Sequence, residues 1–204
     1  MTSYSGYCEL SGYWIAFCVI HHITATVRCK EFFRVKMGAE FRYYRLIYSS
    51  VALASFVFVL LRQFSIKSGY FIIFPWFKYS VGLPIGILGI SLMFTCIRKY
   101  FFNISGIRVF FRDARPSSLE LLGVHKYIRH PLYLGTLLLI WSLFLFFPMF
   151  TNLLAFLVMT SYVLIGIRSE EKKLLMIFGE AYKNYQDKTP VLIPHVRIQI
   201  TLLP

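Results

Sequence analysis

Two short stretches of this 204-residue chain bring together side chains able to do chemistry. One is Gly123-Val-His-Lys-Tyr127-Ile-Arg129-His130-Pro131-Leu-Tyr133-Leu-Gly135, and the other is Arg168-Ser-Glu170-Glu171. Pro131 suits the first turn of a helix, where its missing N–H costs nothing. Arg129 and His130 then sit just ahead of that helix, and Tyr133 in its first turn. Gly135 leaves room for a ligand or another backbone to come close. Glu170 and Glu171 close an apolar run, and carboxylates beside a membrane core are costly enough to be paired or functional. Arg168 and Arg129 are the obvious partners. Two readings fit: a salt-bridge cluster that anchors a pair of helices, and a reactive site. The histidine and aromatic residues beside the charges favour the second.

Those residues need elements to hold them. The chain is 57% hydrophobic and 15% charged, against about 25% charged in an ordinary soluble domain. Five apolar segments approach the roughly 20 residues that cross about 30 Å of hydrocarbon. They run over about Leu10–Val27, Leu46–Leu61, Val81–Ile97, Leu132–Phe147 and Leu153–Ile167. Only residues 148–152 part the last two, which makes them a helical hairpin and brings Arg129-His130 close to Glu170-Glu171. The expected fold is all-α and integral to the membrane, with five transmembrane helices in one domain over 1–204. Residues 1–122 supply the N-terminal spans and basic loops, 123–194 the region of the candidate site and 195–204 a tail. The run Tyr70–Phe77, holding Pro75 and Trp76, reads as an interfacial segment. Beyond the fifth span an amphipathic helix carries Tyr182 and Tyr185 on one face, with Gly179 bending it. Together with Thr189–Pro194 this cytoplasmic helix and tail folds back to cover a ligand at the hairpin mouth, or lies on the lipid headgroups.

Charge sets the orientation. The formal charge is +13, with 22 Lys and Arg against nine Asp and Glu. Six basic residues fall in 28–45, seven in 98–130 and six in 168–204, against three in 62–80 and none in 148–152. The positive-inside tendency then puts the N-terminus outside and the C-terminus in the cytoplasm. Basic residues flanking apolar segments fit anionic lipid headgroups, so membrane lipids and not nucleic acid are the expected partners. The first span has neither a basic leader nor a small-residue cleavage site and reads as a retained helix. A bacterial inner membrane is the expected location, an endomembrane the alternative.

Several chemistries are unsupported. The chain has no G-x-G-x-x-G, P-loop, G-x-S-x-G or H-E-x-x-H, and its four cysteines have no metal-ligand spacing, so no metal site is expected. Gly82, Gly86 and Gly89 read as a stripe for close helix packing.

The pattern Gly123-x-x-x-Tyr127-x-Arg129-His130-Pro131-x-Tyr133-x-Gly135, then Glu170-Glu171, Phe178-Gly179-x-x-Tyr182-x-x-Tyr185 and Pro190, resembles the isoprenylcysteine carboxyl methyltransferase family. Membrane phospholipid N-methyltransferases share that signature. His21-His22, the basic stretch through Arg34 and Arg45, and Asn103-Ile-Ser-Gly106-Ile-Arg108 are similar to the methanethiol S-methyltransferase branch, related to proteins of the NnrU type. The chain departs from the isoprenylcysteine enzymes at Val124-His125, where they read Pro-Tyr, which bears on a prenylated substrate more than on the cofactor.

The resemblance implies S-adenosylmethionine at the cytoplasmic mouth. Tyr127, Arg129, His130, Pro131, Tyr133, Gly135 and Glu170, with Tyr182 and Tyr185 from the tail, would surround it. Arg129 and His130 suit its carboxylate, Glu170 or Glu171 its amino group, and the tyrosines its sulfonium or adenine. Arg168 would hold an anionic acceptor, with Glu171 orienting it or acting as base. His22 and Trp141 would line a lipid-facing gap between the fourth span and the first, admitting the substrate. The acceptor is small or lipophilic, with a thiol the leading expectation over a prenylated cysteine carboxylate or a lipid amine. Readings from other classes are a non-catalytic assembly factor, a sterol-type reductase and a small transporter. The sequence is silent on oligomeric state.

Overall fold

The computed structural model describes residues 4–104, 119 and 121–193. Ser105–Arg108 of the stretch Asn103–Arg108, Pro194 and the 195–204 tail lie outside the described residues. Long apolar runs give α1 (Tyr4–Ala25), α3 (Tyr44–Ser65), α5 (Leu83–Ile104), α6 (Pro131–Phe146) and α7 (Phe150–Lys188). Each expected apolar segment falls largely within one of these helices. Two short helices join them: α2 (Val27–Met37) and α4 (Pro75–Phe77). Among the described residues the only β pairing is a bridge between Tyr70 and Met149.

Among the described residues three helical runs are long and apolar enough to cross a membrane: Val27–Ser65, Pro75–Arg98 and Phe150–Lys188; Pro131–Phe146 is a shorter apolar helix. The molecule is therefore an all-helical membrane protein.

The basic stretch after α1, expected as a loop, is folded. Thr26 caps α2 by accepting from the Cys29 amide, and Gly38, at φ 53°, ends it. The Tyr44 hydroxyl donates to the Thr24 carbonyl and ties the start of α3 to the end of α1. At the other end of the bundle Gln63 is buried and bridges three helices. It accepts from Trp14 Nε1 at 2.8 Å and donates to Asn152 Oδ1 at 2.7 Å. The core between α1, α3 and α7 forms from Leu10, Trp14, Phe17, Cys18, Val59 and Ala155. Leu10, Trp14 and Phe17 recur at helical spacing, and that stripe continues to His21.

α5 and α6 form the closest helix pair, because glycine removes the side chains between them. A Cβ on Gly89 would stand 2.8 Å from the Gly135 carbonyl oxygen. One on Gly135 would stand 2.9 Å from the Gly89 oxygen and the Met93 Cγ. Ser142 fastens the far end by donating to the Gly82 carbonyl at 2.8 Å. The space at Gly135, read from sequence as room for a ligand or another backbone, is taken on the α5 side by the Gly89 backbone.

α6 and α7 form the expected hairpin, and the segment before α4 runs beside its turn, with the Phe71 amide donating to Pro148 and the Phe150 amide to Gly69. α7 does not end at the last apolar residue. It carries on through Arg168 and Glu171, breaks at Gly179 (φ 52°, ψ −130°) and resumes to Lys188. That combination is open only to glycine at little cost. The bend turns the last helical turns back toward the start of α6.

Candidate active site

The start of α6 is held from three directions. Pro131 occupies its first turn and is fully buried, with His130 as the capping residue. The amides of Arg129 and His130 donate to the carbonyls of Pro190 and Val191 at 2.9 and 3.2 Å. The distal part of α7 supplies the third contact. Tyr182 and Tyr185 are buried, and the Tyr185 hydroxyl donates to the His125 carbonyl at 2.6 Å. The end of α7 and residues 190–191 thus lie against the start of α6.

Glu171 is the hub. Its Oε1 accepts from His130 Nε2 at 2.9 Å and from the Tyr182 hydroxyl at 3.0 Å. Its Oε2 accepts from Gln186 Nε2 at 2.8 Å. Arg129 Nε stands 3.1 Å from Oε1 as an ion pair, off the line of a hydrogen bond. Burial pushes the Glu171 carboxyl upward, but His130, Tyr182, the Arg129 charge and Gln186 outweigh it and hold the group below its ordinary range. Burial and the same carboxylate push the Tyr182 phenol up. A carboxylate with four partners and a depressed pKa orients its neighbours and makes a poor base. Glu170, more exposed, reaches His130 Nδ1 only at 3.8 Å.

Beside the hub lies a cavity of about 390 Å³ lined by Arg129, Gln186, Asp187, Lys188, Thr189 and Pro190. Its wall carries both signs of charge. The expected residues sort around it unevenly. Arg129, His130, Glu171, Tyr182 and Tyr185 converge. Tyr133 stands next to them, its ring 5.5 Å from that of His130. Tyr127 is exposed at the periphery. Arg168 is exposed one turn before Glu171 and has no ion-pair partner among the described residues. His22 and Trp141 do not share a gap. His22 lines an apolar groove of about 480 Å³ between α1 and α7, whereas Trp141 sits edge-on to Phe156. α7, with α3, is the helix that packs on α1, and α6 packs on α5 and α7.

Five participants were given no role in the sequence reading. Gln186 follows Tyr182 by one turn and shares its face. Asp187 contributes the cavity's carboxylate. Pro190 and Val191 act through backbone carbonyls, which carry no residue-type signal. His21, rather than His22, lies on the packed face of α1, and the stripe Leu10, Trp14, Phe17 pointed to it.

Comparison with known proteins identifies the family. A family model for phospholipid methyltransferases matches residues 77–181, which include α5, α6 and most of α7. The chain belongs to the phospholipid methyltransferase family. Among curated relatives, a methanethiol S-methyltransferase of Crocosphaera subtropica is 34% identical over 113 residues, covering 52% of this chain and 43% of the relative. A methanethiol S-methyltransferase of Pseudomonas deceptionensis is 36% identical over 115 residues, covering 53% and 42%. A protein-S-isoprenylcysteine O-methyltransferase of Schizosaccharomyces pombe is 36% identical over 75 residues, covering 35% and 31%. The chain therefore matches less than half the length of each of these relatives. No solved structure gives a significant match. The matched span of this phospholipid methyltransferase family member includes the Arg129-His130 mouth and Glu171 but stops short of Tyr185 and the 189–191 segment.

Proposed function

We propose that the chain is a methyltransferase of five membrane spans that takes a methyl group from S-adenosylmethionine and passes it to a thiol. The observation that carries the reading is the mouth of α6: Arg129 and His130 locked on Glu171 beside a charged cavity. The cavity has the size of a small-molecule site, roughly 300–1,000 Å³. Two of its lining residues fit the cofactor, Arg129 its carboxylate and Asp187 its amino group. Outside that lining, Glu170 is a second acid for the amino group, and Tyr127 and Tyr133 offer ring faces for a sulfonium or adenine. Tyr182 and Tyr185 serve by holding the wall, since their hydroxyls are committed to Glu171 and His125.

When bound, the cofactor supplies an electrophilic methyl group. The chain aligns the acceptor and keeps water out, which suffices for an in-line displacement. Glu171 fixes His130 and Arg129 in one geometry. Arg168, exposed and one turn away, adds positive charge at the mouth for the acceptor's approach. The basic segments face the cytoplasm and the N-terminus the other side.

The relatives named for methanethiol support a small thiol. A lipophilic acceptor is the second reading, favoured by the apolar groove of about 480 Å³ along α1 and α7. Calorimetric titration of purified protein with S-adenosylhomocysteine tests the cofactor: heat and thermal stabilisation are expected, and neither appearing with folded protein refutes it. Incubation with labelled methyl donor then separates acceptors. Volatile label supports a small thiol, and label in lipid or protein overturns it.

A further inference from the structure

We infer that His21, held between the hydroxyls of Tyr48 and Tyr162, takes the proton that a thiol acceptor loses, and that the acceptor sits in the groove beside it. The inference rests on the thiol methyltransferase reading and adds the acceptor's place and its base.

His21 continues the buried stripe of α1 and lies where α1, α3 and α7 meet. Its Nδ1 bonds the Tyr162 hydroxyl, and its Nε2 bonds the Tyr48 hydroxyl at 2.7 Å. A neutral imidazole donates from one nitrogen and accepts at the other. The ring therefore makes a continuous proton path between two phenols on different helices. Intramembrane ionisable groups are expensive and mark sites.

A groove of about 240 Å³ opens against this cluster between α1, α2 and α3. Its lining includes His21, Thr24, Tyr44, Tyr48, Ala52 and Ser55. Its size suits a small acceptor rather than a prenyl chain. The other polar groups on its wall are committed. Thr24 donates to the carbonyls of Ile20 and His21, Tyr44 to Thr24, and Ser55 to Val51 and Ala52. His21 is thus the basic nitrogen of that wall. Tyr133 stands between the two regions: its ring lies against His130, and it packs on Leu137, Val163 and Ile167, the valine being next along α7 to Tyr162.

The step balances. As the acceptor's S–CH₃ bond forms, the donor's C–S bond breaks and its pair returns to the donor sulfur. The S–H proton passes to Tyr48, whose own proton passes to His21. One cation, the sulfonium, is replaced by another, the imidazolium. No net charge is created in a medium of low dielectric, where a new isolated charge is prohibitively costly. The imidazolium then releases its proton to solvent through Tyr162, whose hydroxyl it bonds.

The test uses the full chain in nanodiscs, with ethanethiol and with 4-nitrothiophenol, which is already ionised at neutral pH. His21→Gln is expected to lower kcat for ethanethiol by roughly 10²–10⁴-fold, the usual contribution of a proton-transferring group. Tyr48→Phe should fall in the same direction. Both variants should methylate the ionised thiol at near wild-type rate and bind S-adenosylhomocysteine as before. Separately, adding ethanethiol to donor-free protein carrying ¹⁵N-histidine should shift the His21 ring resonances, and Ala52→Phe should abolish that shift. Equal losses for both thiols, or wild-type activity in His21→Gln, or no shift, overturns the inference alone. Wild-type protein that fails to bind S-adenosylhomocysteine, or that binds it and methylates neither thiol, refutes the underlying reading and the inference with it.

Discussion

Replacing Glu171 with glutamine should unfasten the end of α7 from the mouth of α6. The carboxylate accepts three hydrogen bonds, from His130, Tyr182 and Gln186, and pairs with Arg129. Its side chain is only 17% exposed and that of Arg129 9%, so solvent does little to screen the pair. Hydrogen bonds to a charged group are worth about 1.5–3 kcal/mol each, and breaking a buried pair costs about 3–5 kcal/mol. Glutamine keeps the shape and one acceptor oxygen, but its NH₂ faces the NH₂ of Gln186. The expected loss is about 2–3 kcal/mol, concentrated in the clamp. The Arg129 and His130 amides report it directly, because their acceptors are the carbonyls of Pro190 and Val191. Their hydrogen exchange should quicken by roughly 30- to 150-fold, since about 1.4 kcal/mol corresponds to tenfold, while the Trp14–Gln63 end stays protected. Wild-type exchange at Arg129 and His130 in the variant would refute the account of Glu171 as the hub. Acid should act likewise. The folded pKa is depressed, so the clamp is at full strength above the ordinary carboxylate range and is lost as pH falls through the lower folded value. Protection of these amides, measured against the intrinsic exchange rate at each pH, should therefore hold steady around neutral pH and fall only in strong acid.

Three further outcomes follow from other contacts. Gly89→Val should part α5 from α6, because the new Cβ meets backbone atoms of Gly135 and Leu139 at 2.8 Å and backbone cannot rotate away. The cost should be at least about 1–3 kcal/mol, read as a lowered thermal midpoint in detergent. Gln63→Leu orphans the indole N–H of Trp14 and the Oδ1 of Asn152, and should cost about 0.6–2 kcal/mol in reversible unfolding, with S-adenosylhomocysteine binding retained. Arg168→Ala removes an exposed side chain and should change stability by less than about 0.5 kcal/mol while abolishing turnover; full activity would remove Arg168 from the proposed site.

Composition, apolar run length and the Arg-His-Pro and Glu-Glu pairs were enough for the helices, the α6–α7 hairpin and the meeting of Arg129-His130 with Glu171. These are local or near-local properties: period, length and a turn too short for any other path. Gly82, Gly86 and Gly89 likewise announced a helix contact, since a missing side chain is visible in any sequence. What they touch was not. Gly135 looked equally suited to a ligand, and only the packing of α5 on α6 showed that the Gly89 backbone fills that space. The same holds for Glu171, whose charge is written in the chain but whose partners arrive from Tyr182 and Gln186 after a bend at Gly179. His22 and Trp141 were paired on the premise that α1 adjoins α6, but side-chain periodicity does not encode which helices are neighbours. That order emerges from how whole faces fit, and it puts α7 against α1, leaves Trp141 on another surface and places His21 between two phenols.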